Sequence, residues 1–221
     1  MKIKNILITG GLGAIGSYLI ENLPSYLNCR ITVCDNMKAQ RYCSLFNLSF
    51  PTNFIEKPFI NLSYNELKGF DIVIHLASVT DAVNASKEDI QKTNIDETES
   101  FIEQCLDCKC LFVFPSSTSV YGKSTDIVYE DDYSVINPQS FYGEAKYKIE
   151  DYLTYATIMS SKMSMLILRL GTVAGISMGM RFQTAINSFC YKAAFNQPLT
   201  IWKVNYEQMR PYLSLQDLTS A

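Results

Sequence analysis

Ile3-Lys4-Asn5-Ile6-Leu7-Ile8-Thr9-Gly10-Gly11-Leu12-Gly13-Ala14-Ile15-Gly16 is the stretch whose reading decides the fold. An apolar run, residues 3–9, enters glycines at 10, 13 and 16, and a second short run, residues 31–34, ends on Asp35. A strand that turns into a helix uses Gly10 for the tight turn, Gly13 to let a pyrophosphate approach the backbone, and Gly16 to let the helix lie close to the sheet. The unpaired N–H groups at the helix start, around Ala14 and Ile15, then face the phosphates. Asp35, about 20 residues beyond the loop, is placed to accept hydrogen bonds from an adenosine ribose, with Asn36 beside it. Its charge would repel a 2′-phosphate, which favours NAD over NADP. The bland alternative is a glycine turn in a doubly wound domain without cofactor; against it stand the preceding strand, the following helix and the acid at the right distance.

Outward from this stretch, short apolar runs recur at residues 53–56, 71–76, 111–114 and 165–170. They are continuous rather than alternating, which means burial on both faces, as in a parallel sheet between helix layers. Helices are expected between them at 14–23, stopped near Pro24, and at 63–68, 87–107 and 140–159. The fold class is therefore α/β, a doubly wound parallel sheet of Rossmann type over residues 1–170. After Leu170 the pattern changes to a loop (171–180), a helix (181–196) and two extended pieces (199–204 and 211–215). Residues 171–221 read as a small substrate-facing lobe packed on the first.

The 221 residues are 48% hydrophobic, enough for a full core. A net charge of −3 gives no basic footprint for nucleic acid or an anionic membrane. No apolar run approaches the ~20 residues that cross a bilayer, so a cytoplasmic protein is expected. Seven cysteines fit reduced thiols. Cys105, Cys108 and Cys110 invite a metal reading, but no second pair lies nearby and Cys110 begins an apolar strand, so no metal is expected. His75, which is the only histidine, ends a strand and reads as packed against the loop. The acids Glu130-Asp131-Asp132 read as a solvated turn.

Tyr142-Gly143-Glu144-Ala145-Lys146 places a phenol and an ammonium four positions apart, on one helical face. With a positive nicotinamide nearby, Lys146 would favour the phenolate and bring Tyr142 from about 10 towards neutrality, making it a base. A second copy, Tyr64 to Lys68, sits on a short helix and reads as surface. The Tyr142 copy follows Pro115-Ser116-Ser117-Thr118-Ser119-Val120-Tyr121-Gly122 at the carboxyl end of a strand, where such sheets bind ligands, so Ser117 is placed to hydrogen-bond the reacting oxygen.

These motifs resemble the extended short-chain dehydrogenase/reductase superfamily, and within it the nucleotide-sugar epimerase/dehydratase family. The likeness rests on Thr-Gly-Gly-x-Gly-x-x-Gly, His75-Leu76-Ala77-Ser78, Asn94, Ser-Ser-x-x-Val-Tyr-Gly, Tyr-Gly-x-x-Lys and Leu168-Arg169-Leu170, in the family's order. It implies NAD as cofactor and a catalytic triad of Ser117, Tyr142 and Lys146, with Asn94 as structural or proton-relay support. It also implies cofactor contacts from Asn61, Leu62, Leu76, Ala77 and Ser78. A nucleotide-sugar substrate would meet Thr80, Asn187, Trp202 and Arg210, the last two as an aromatic ring near the base and a guanidinium on the diphosphate. Trp202 as ordinary core is the alternative. Helices 87–107 and 140–159 pair subunits in relatives, so the resemblance extends to a homodimer.

Relatives that eliminate water carry Asp-Glu directly after the catalytic hydroxyl residue, and related decarboxylases keep a Glu there; this chain has Thr118 and Ser119. The preferred reading is a 4-epimerase of a UDP-sugar working through a 4-keto intermediate. A nucleotide-sugar ketoreductase or a dehydratase of the same family is the nearest rival, and a silent NAD-binding scaffold or fragment is the alternative of another class. Two departures motivate the scaffold: Asn61-Leu62 where relatives have Asp and an apolar residue, and an ending at Ala221 where relatives continue through a larger lobe, so the second lobe reads as truncated, whether in a fragment, in a protein completed by a partner or in a minimal variant.

Overall fold

The apolar runs line up as one sheet in the computed structural model of the chain, which describes residues 3–80, 85–123, 127–160, 163–201, 203 and 209–221. Its strands are β1 (Lys4–Thr9), β2 (Cys29–Asp35), β3 (Thr52–Glu56), β4 (Ile72–His75), β5 (Leu111–Ser117) and β6 (Ser164–Leu170). They lie in the order β3-β2-β1-β4-β5-β6 with every neighbouring pair parallel. The helices are α1 (Ala14–Tyr26), α2 (Tyr64–Leu67), α3 (Lys87–Ile90), α4 (Glu97–Leu106), α5 (Phe141–Met159), α6 (Ala185–Ala194) and α7 (Leu215–Ser220). Alternation along the strands sends Ile6, Ile8, Ile31 and Val33 against Leu19, Ile20 and Leu23 of α1. Leu7, Val73 and Phe112 point the other way, against Phe101 and Ile102 of α4 and Ile149 and Leu153 of α5. Both faces are thus apolar, which is why the strands show no polar alternation.

The strand order reverses between β1 and β4, and ligands bind beyond the carboxyl ends of strands at such a point. There Gly10 leaves β1 with φ of 63° and its N–H donates to the Cys34 carbonyl at 2.8 Å. A Cβ at Gly10 would stand 2.6 Å from both N and Cα of Ala77. The loops after β1 and β4 close on one another only because position 10 is glycine.

Several expected boundaries move. The first helix runs through Pro24 to Tyr26. Pro24 lies in the last turn, where it removes a single N–H, and Leu27 N–H still reaches the Leu23 carbonyl at 3.0 Å. The expected helix 87–107 is not uniform: between α3 and α4 the chain widens into a π-helical turn, Gln91–Asp96, that carries Asn94. α2 begins at a capping box of Ser63 and Glu66, with Tyr64 exposed and Lys68 Nζ on Asn65, so the second copy of the Tyr-x-x-x-Lys spacing is a surface feature.

The segment after β6 also differs from expectation. The expected loop 171–180 contains β7 (Thr172–Ala174), which pairs in parallel with β8 (Tyr212–Ser214) as a separate two-stranded sheet. Three-residue strands are too short to show a period. The expected helix 181–196 contracts to Ala185–Ala194, because the Arg181 side chain reaches back to Thr80 and its carbonyl accepts from Asn187 Nδ2 rather than starting the helix. Residues 199–201 are irregular, so the first expected extended piece does not form there. The three clustered thiols of Cys105, Cys108 and Cys110 face the core, and Glu130, Asp131 and Asp132 are exposed. Among the described residues no helix is long and apolar enough to cross a membrane.

Candidate active site

Asp35, last in β2, accepts from Leu12 N–H at 3.2 Å through one carboxylate oxygen and from Met37 N–H at 2.9 Å through the other. The carboxylate is thereby fixed beside the glycine loop, and each oxygen keeps a lone pair for a ribose hydroxyl. Gly13 N–H closes the turn on the Gly10 carbonyl at 3.1 Å, and α1 begins at Ala14 and Ile15. A Cβ at Gly16 would be 2.3 Å from the Gly11 carbonyl oxygen, so the helix starts pressed on its own loop. Asn36 is exposed, its side chain accepting from Lys38 N–H. Asn61 is exposed at the end of a short 3₁₀ turn, whereas the Leu62 side chain is buried in the core.

The loop after β4 is built from hydrogen bonds that sequence reading missed. Leu76 N–H donates to the Thr9 carbonyl at 3.0 Å and Ala77 N–H to Thr9 Oγ1 at 3.4 Å. Thr9 Oγ1 in turn pairs with His75 Nδ1 at 2.8 Å, and His75 Nε2 with Thr98 Oγ1 at 3.3 Å. Burial, reinforced by Lys146, pulls the imidazole down to about 3, so it stays neutral. Asn94 Oδ1 accepts from Val79 N–H at 2.7 Å and its Nδ2 donates to the Val79 carbonyl at 2.8 Å. Both ends of the amide clamp the loop, which gives Asn94 a structural place in this chain. Thr98, four positions on from Asn94, is the helical-spacing signal that sequence reading could have used.

Ser117 ends β5 and its Oγ accepts from Ser119 N–H at 3.1 Å, so the hydroxyl keeps its own proton to donate. α5 is capped by Ser140 Oγ, which accepts from Gly143 N–H at 3.1 Å, and this sets Tyr142 and Lys146 on its inner face. Lys146 Nζ donates to the Pro115 carbonyl at 2.9 Å and lies 4.5 Å from the Phe114 ring centroid. Burial pulls Lys146 down to about 8, opposed by Glu150. Tyr142 departs from expectation: in the free chain burial pushes its phenol up to about 12, against a lowering by Arg181. Lys146 is directed at a carbonyl rather than at the phenol, so a lowered Tyr142 requires further positive charge.

Thr80, in the loop after β4, accepts a hydrogen bond from Arg181, which brings that guanidinium to the edge of the site. Asn187, expected on a diphosphate, instead donates to the Arg181 carbonyl at 3.0 Å and accepts from Gly175 N–H at 3.5 Å, so its amide braces residues 175–181. Arg210 is exposed and lines the same cleft as Ser117, Thr118 and Thr172. Asp217 caps α7 together with Ser214. Trp202 lies outside the described residues.

The hydroxyls of Ser78, Ser119 and Ser177 are buried with no partner among the described residues. Buried hydroxyls left unpaired are unfavourable, and a polar ligand in the crevice relieves them. Together with the glycine cradle and Asp35, these residues fit a dinucleotide.

A family model described as "NAD dependent epimerase/dehydratase family" matches residues 6–221. The chain is 30% identical over 155 residues to an ADP-L-glycero-D-manno-heptose-6-epimerase of Brachyspira hyodysenteriae, covering 67% of this chain and 48% of the relative. It is 30% identical over 244 residues to a dTDP-D-glucose 4,6-dehydratase of Dictyostelium discoideum, covering 99% and 54%. Among solved structures, UDP-glucuronic acid 4-epimerase from Bacillus cereus, in complex with UDP-glucuronic acid and NAD, superposes with a TM-score of 0.86 at 26% identity, over 97% of this chain and 70% of that one. The chain spans about half the length of the curated relatives it matches.

Proposed function

Because the chain belongs to the NAD-dependent epimerase/dehydratase family, we propose that it binds NAD and acts on a nucleotide sugar, more finely as a 4-epimerase of a UDP-sugar. The observation that carries the reading is the pairing of Tyr142 and Lys146 on the inner face of α5 with Ser117 at the end of β5. Supporting the epimerase over the dehydratase, Ser117 is followed by Thr118 and Ser119, and the charged group that acts on Tyr142 is a cation, Arg181, not a carboxylate. Elimination of water needs an acid to protonate the leaving hydroxyl, and epimerisation does not. The likeness to a UDP-glucuronic acid 4-epimerase supports a UDP-sugar.

In this mechanism the Tyr142 oxygen takes the proton of the sugar 4-hydroxyl while Ser117 donates a hydrogen bond to the same sugar oxygen. NAD, which the glycine loop and Asp35 would hold, would supply the reversible hydride chemistry at that carbon, and epimerisation requires the 4-keto sugar to turn over before the hydride is restored to its opposite face. Tyr142 then hands its proton back to the new hydroxyl, so the cycle consumes nothing. Lys146 contributes positive charge behind the phenol, which favours the phenolate once the nicotinamide adds its own.

The test is to purify the chain, release and assay its bound dinucleotide, and follow UDP-glucuronic acid and UDP-glucose without added cofactor. Bound NAD with interconversion that disappears in Tyr142→Phe is expected. Stoichiometric conversion of bound NAD to NADH by the sugar, with a keto sugar formed and no epimer, would assign a ketoreductase running in reverse, and bound NAD without turnover of any sugar would overturn the catalytic reading.

A further inference from the structure

Beyond Asp35 the chain turns through Arg41 into a 3₁₀ segment, Tyr42–Leu45, that sits on the glycine loop. Two side chains fasten it there. Ser44, 1% exposed, donates from Oγ to the Leu12 carbonyl at 3.0 Å, and Cys43 Sγ donates to the Met178 carbonyl at 3.4 Å. Arg41 caps this segment and is held with Nη1 3.6 Å from the point where a Cβ on Gly13 would stand.

The guanidinium makes no hydrogen bond or ion pair among the described residues, although it is half-buried. Burial, then the charge of Arg181, act against its protonated form, opposed by the fields of Asp35 and Cys43. A half-buried fork of donors beside a second guanidinium is unfavourable until an anion enters. Phosphate matches that fork, since two parallel N–H groups can meet two of its oxygens. Gly13 is the residue whose missing Cβ lets a pyrophosphate approach, so the anion at that point is the diphosphate bridge of the dinucleotide.

We propose that Arg41 is a phosphate-binding residue that grips the pyrophosphate of the dinucleotide together with the N-terminus of α1. The proposal rests on the reading of this crevice as an NAD site. The pyrophosphate is favoured over a 2′-phosphate because the Asp35 carboxylate, fixed by Leu12 and Met37, stands at the ribose end and repels one.

The experiment titrates dinucleotide-stripped wild type, Arg41→Gln and Arg41→Lys with NAD and with NADP, after thermal unfolding of each stripped protein. Arg41→Gln is expected to weaken NAD about 10- to 100-fold, the loss of a charge-assisted bidentate contact. Arg41→Lys should recover part of that loss by restoring the charge without the fork. NAD affinity unchanged in Arg41→Gln overturns the proposal, as does a loss confined to NADP, which would place the contact on the 2′-phosphate. If Arg41→Gln unfolds, Arg41→Lys alone decides, with several-fold weaker NAD expected and wild-type affinity overturning. Wild type that binds neither dinucleotide fails the NAD reading itself, whereas wild type that binds NAD with an indifferent Arg41 fails only the proposal.

Discussion

The ammonium of Lys146 donates to the Pro115 carbonyl at 2.9 Å and stands 5.8 Å from the centroid of the Tyr142 ring. The lysine is thus anchored to β5, the strand that also ends in Ser117, and its ammonium is directed at a backbone carbonyl rather than at the phenol. Removal of the phenol oxygen should leave this anchoring intact. Tyr142→Phe is therefore expected to keep the thermal stability and dinucleotide content of the wild type while turnover falls by about 10²- to 10⁴-fold, the range for a lost general base. Loss of bound dinucleotide in parallel with activity would count against a purely catalytic role.

Lys146 also makes the stability depend on pH. Its folded value, about 8, lies below the ordinary 10.5, so the unfolded chain holds the proton more tightly. The penalty of burying the ammonium is fully present below pH 8 and is relieved between pH 8 and 10.5 as the folded protein loses the proton. Urea unfolding at pH 8 and pH 10 should show wild type gaining about 2 kcal/mol relative to Lys146→Met, in which the titration is absent. Parallel curves for the two proteins would show that Lys146 is not buried as a cation.

His75 works at the acid end. Burial holds it near 3 in the folded state against an ordinary 6.5, so its contribution is complete above pH 6.5 and is lost as pH falls towards 3. Relative to His75→Gln, wild type should lose about 1.4 kcal/mol per pH unit below 6.5. The substitution should also loosen the Ala77 loop through Thr9, seen as faster amide exchange at Leu76 and Ala77.

How much of this was legible in the sequence depends on the range of the interaction. The central strands of the main sheet announce themselves, because a strand buried on both faces is an uninterrupted apolar run, whereas the edge strand β3, Thr52–Glu56, is only partly covered and carries two apolar residues. The proposed reactive groups are legible for a related reason: Ser117, Tyr142 and Lys146 lie in local motifs at strand and helix ends. Hidden were the relationships that join distant segments. Nothing near Asn187 says that its amide is directed at residues 175–181, and nothing near Arg41 says that Ser44 docks it on Leu12. The π turn at Asn94 was also invisible, since one extra residue in a helix barely disturbs the apolar period.

The buried ion pair of Arg169 with Glu150 is another contact of this kind, joining β6 to α5 at 2.7 Å with both side chains largely covered. Arg169 also donates to Tyr121 at 2.8 Å and to the Glu130 carbonyl at 3.1 Å, so one guanidinium fastens the turn after β5 and the acidic loop. Glu150→Ala leaves that charge uncompensated and should destabilise the protein by about 3–5 kcal/mol. Lys148→Ala, at an exposed pair with Glu99, should change stability by less than about 1 kcal/mol. Equal effects at the two sites in chemical denaturation would contradict the difference in burial.

Gly179 gives the sharpest steric prediction. Its N–H donates to Ser17 Oγ at 2.9 Å across 162 positions of sequence, which lays residues 176–181 over the glycine loop. A Cβ there would stand 2.3 Å from the Leu12 carbonyl oxygen and 2.5 Å from that of Gly13. Both obstacles are backbone, so in Gly179→Ala the segment must lift and give up the bonds to Ser17, Cys43 and Thr80. The glycine loop itself is held from below by Cys34 and Ala77, so the sheet should survive. We expect a loss of about 1–3 kcal/mol in denaturant unfolding, together with less dinucleotide carried through purification. Ser17→Ala removes the acceptor without the clash and should reproduce the smaller part of both effects. If Gly179→Ala matched wild type in stability and in retained dinucleotide, the segment would not be pressed on the loop in solution, and Arg181 would have no fixed place beside Arg41.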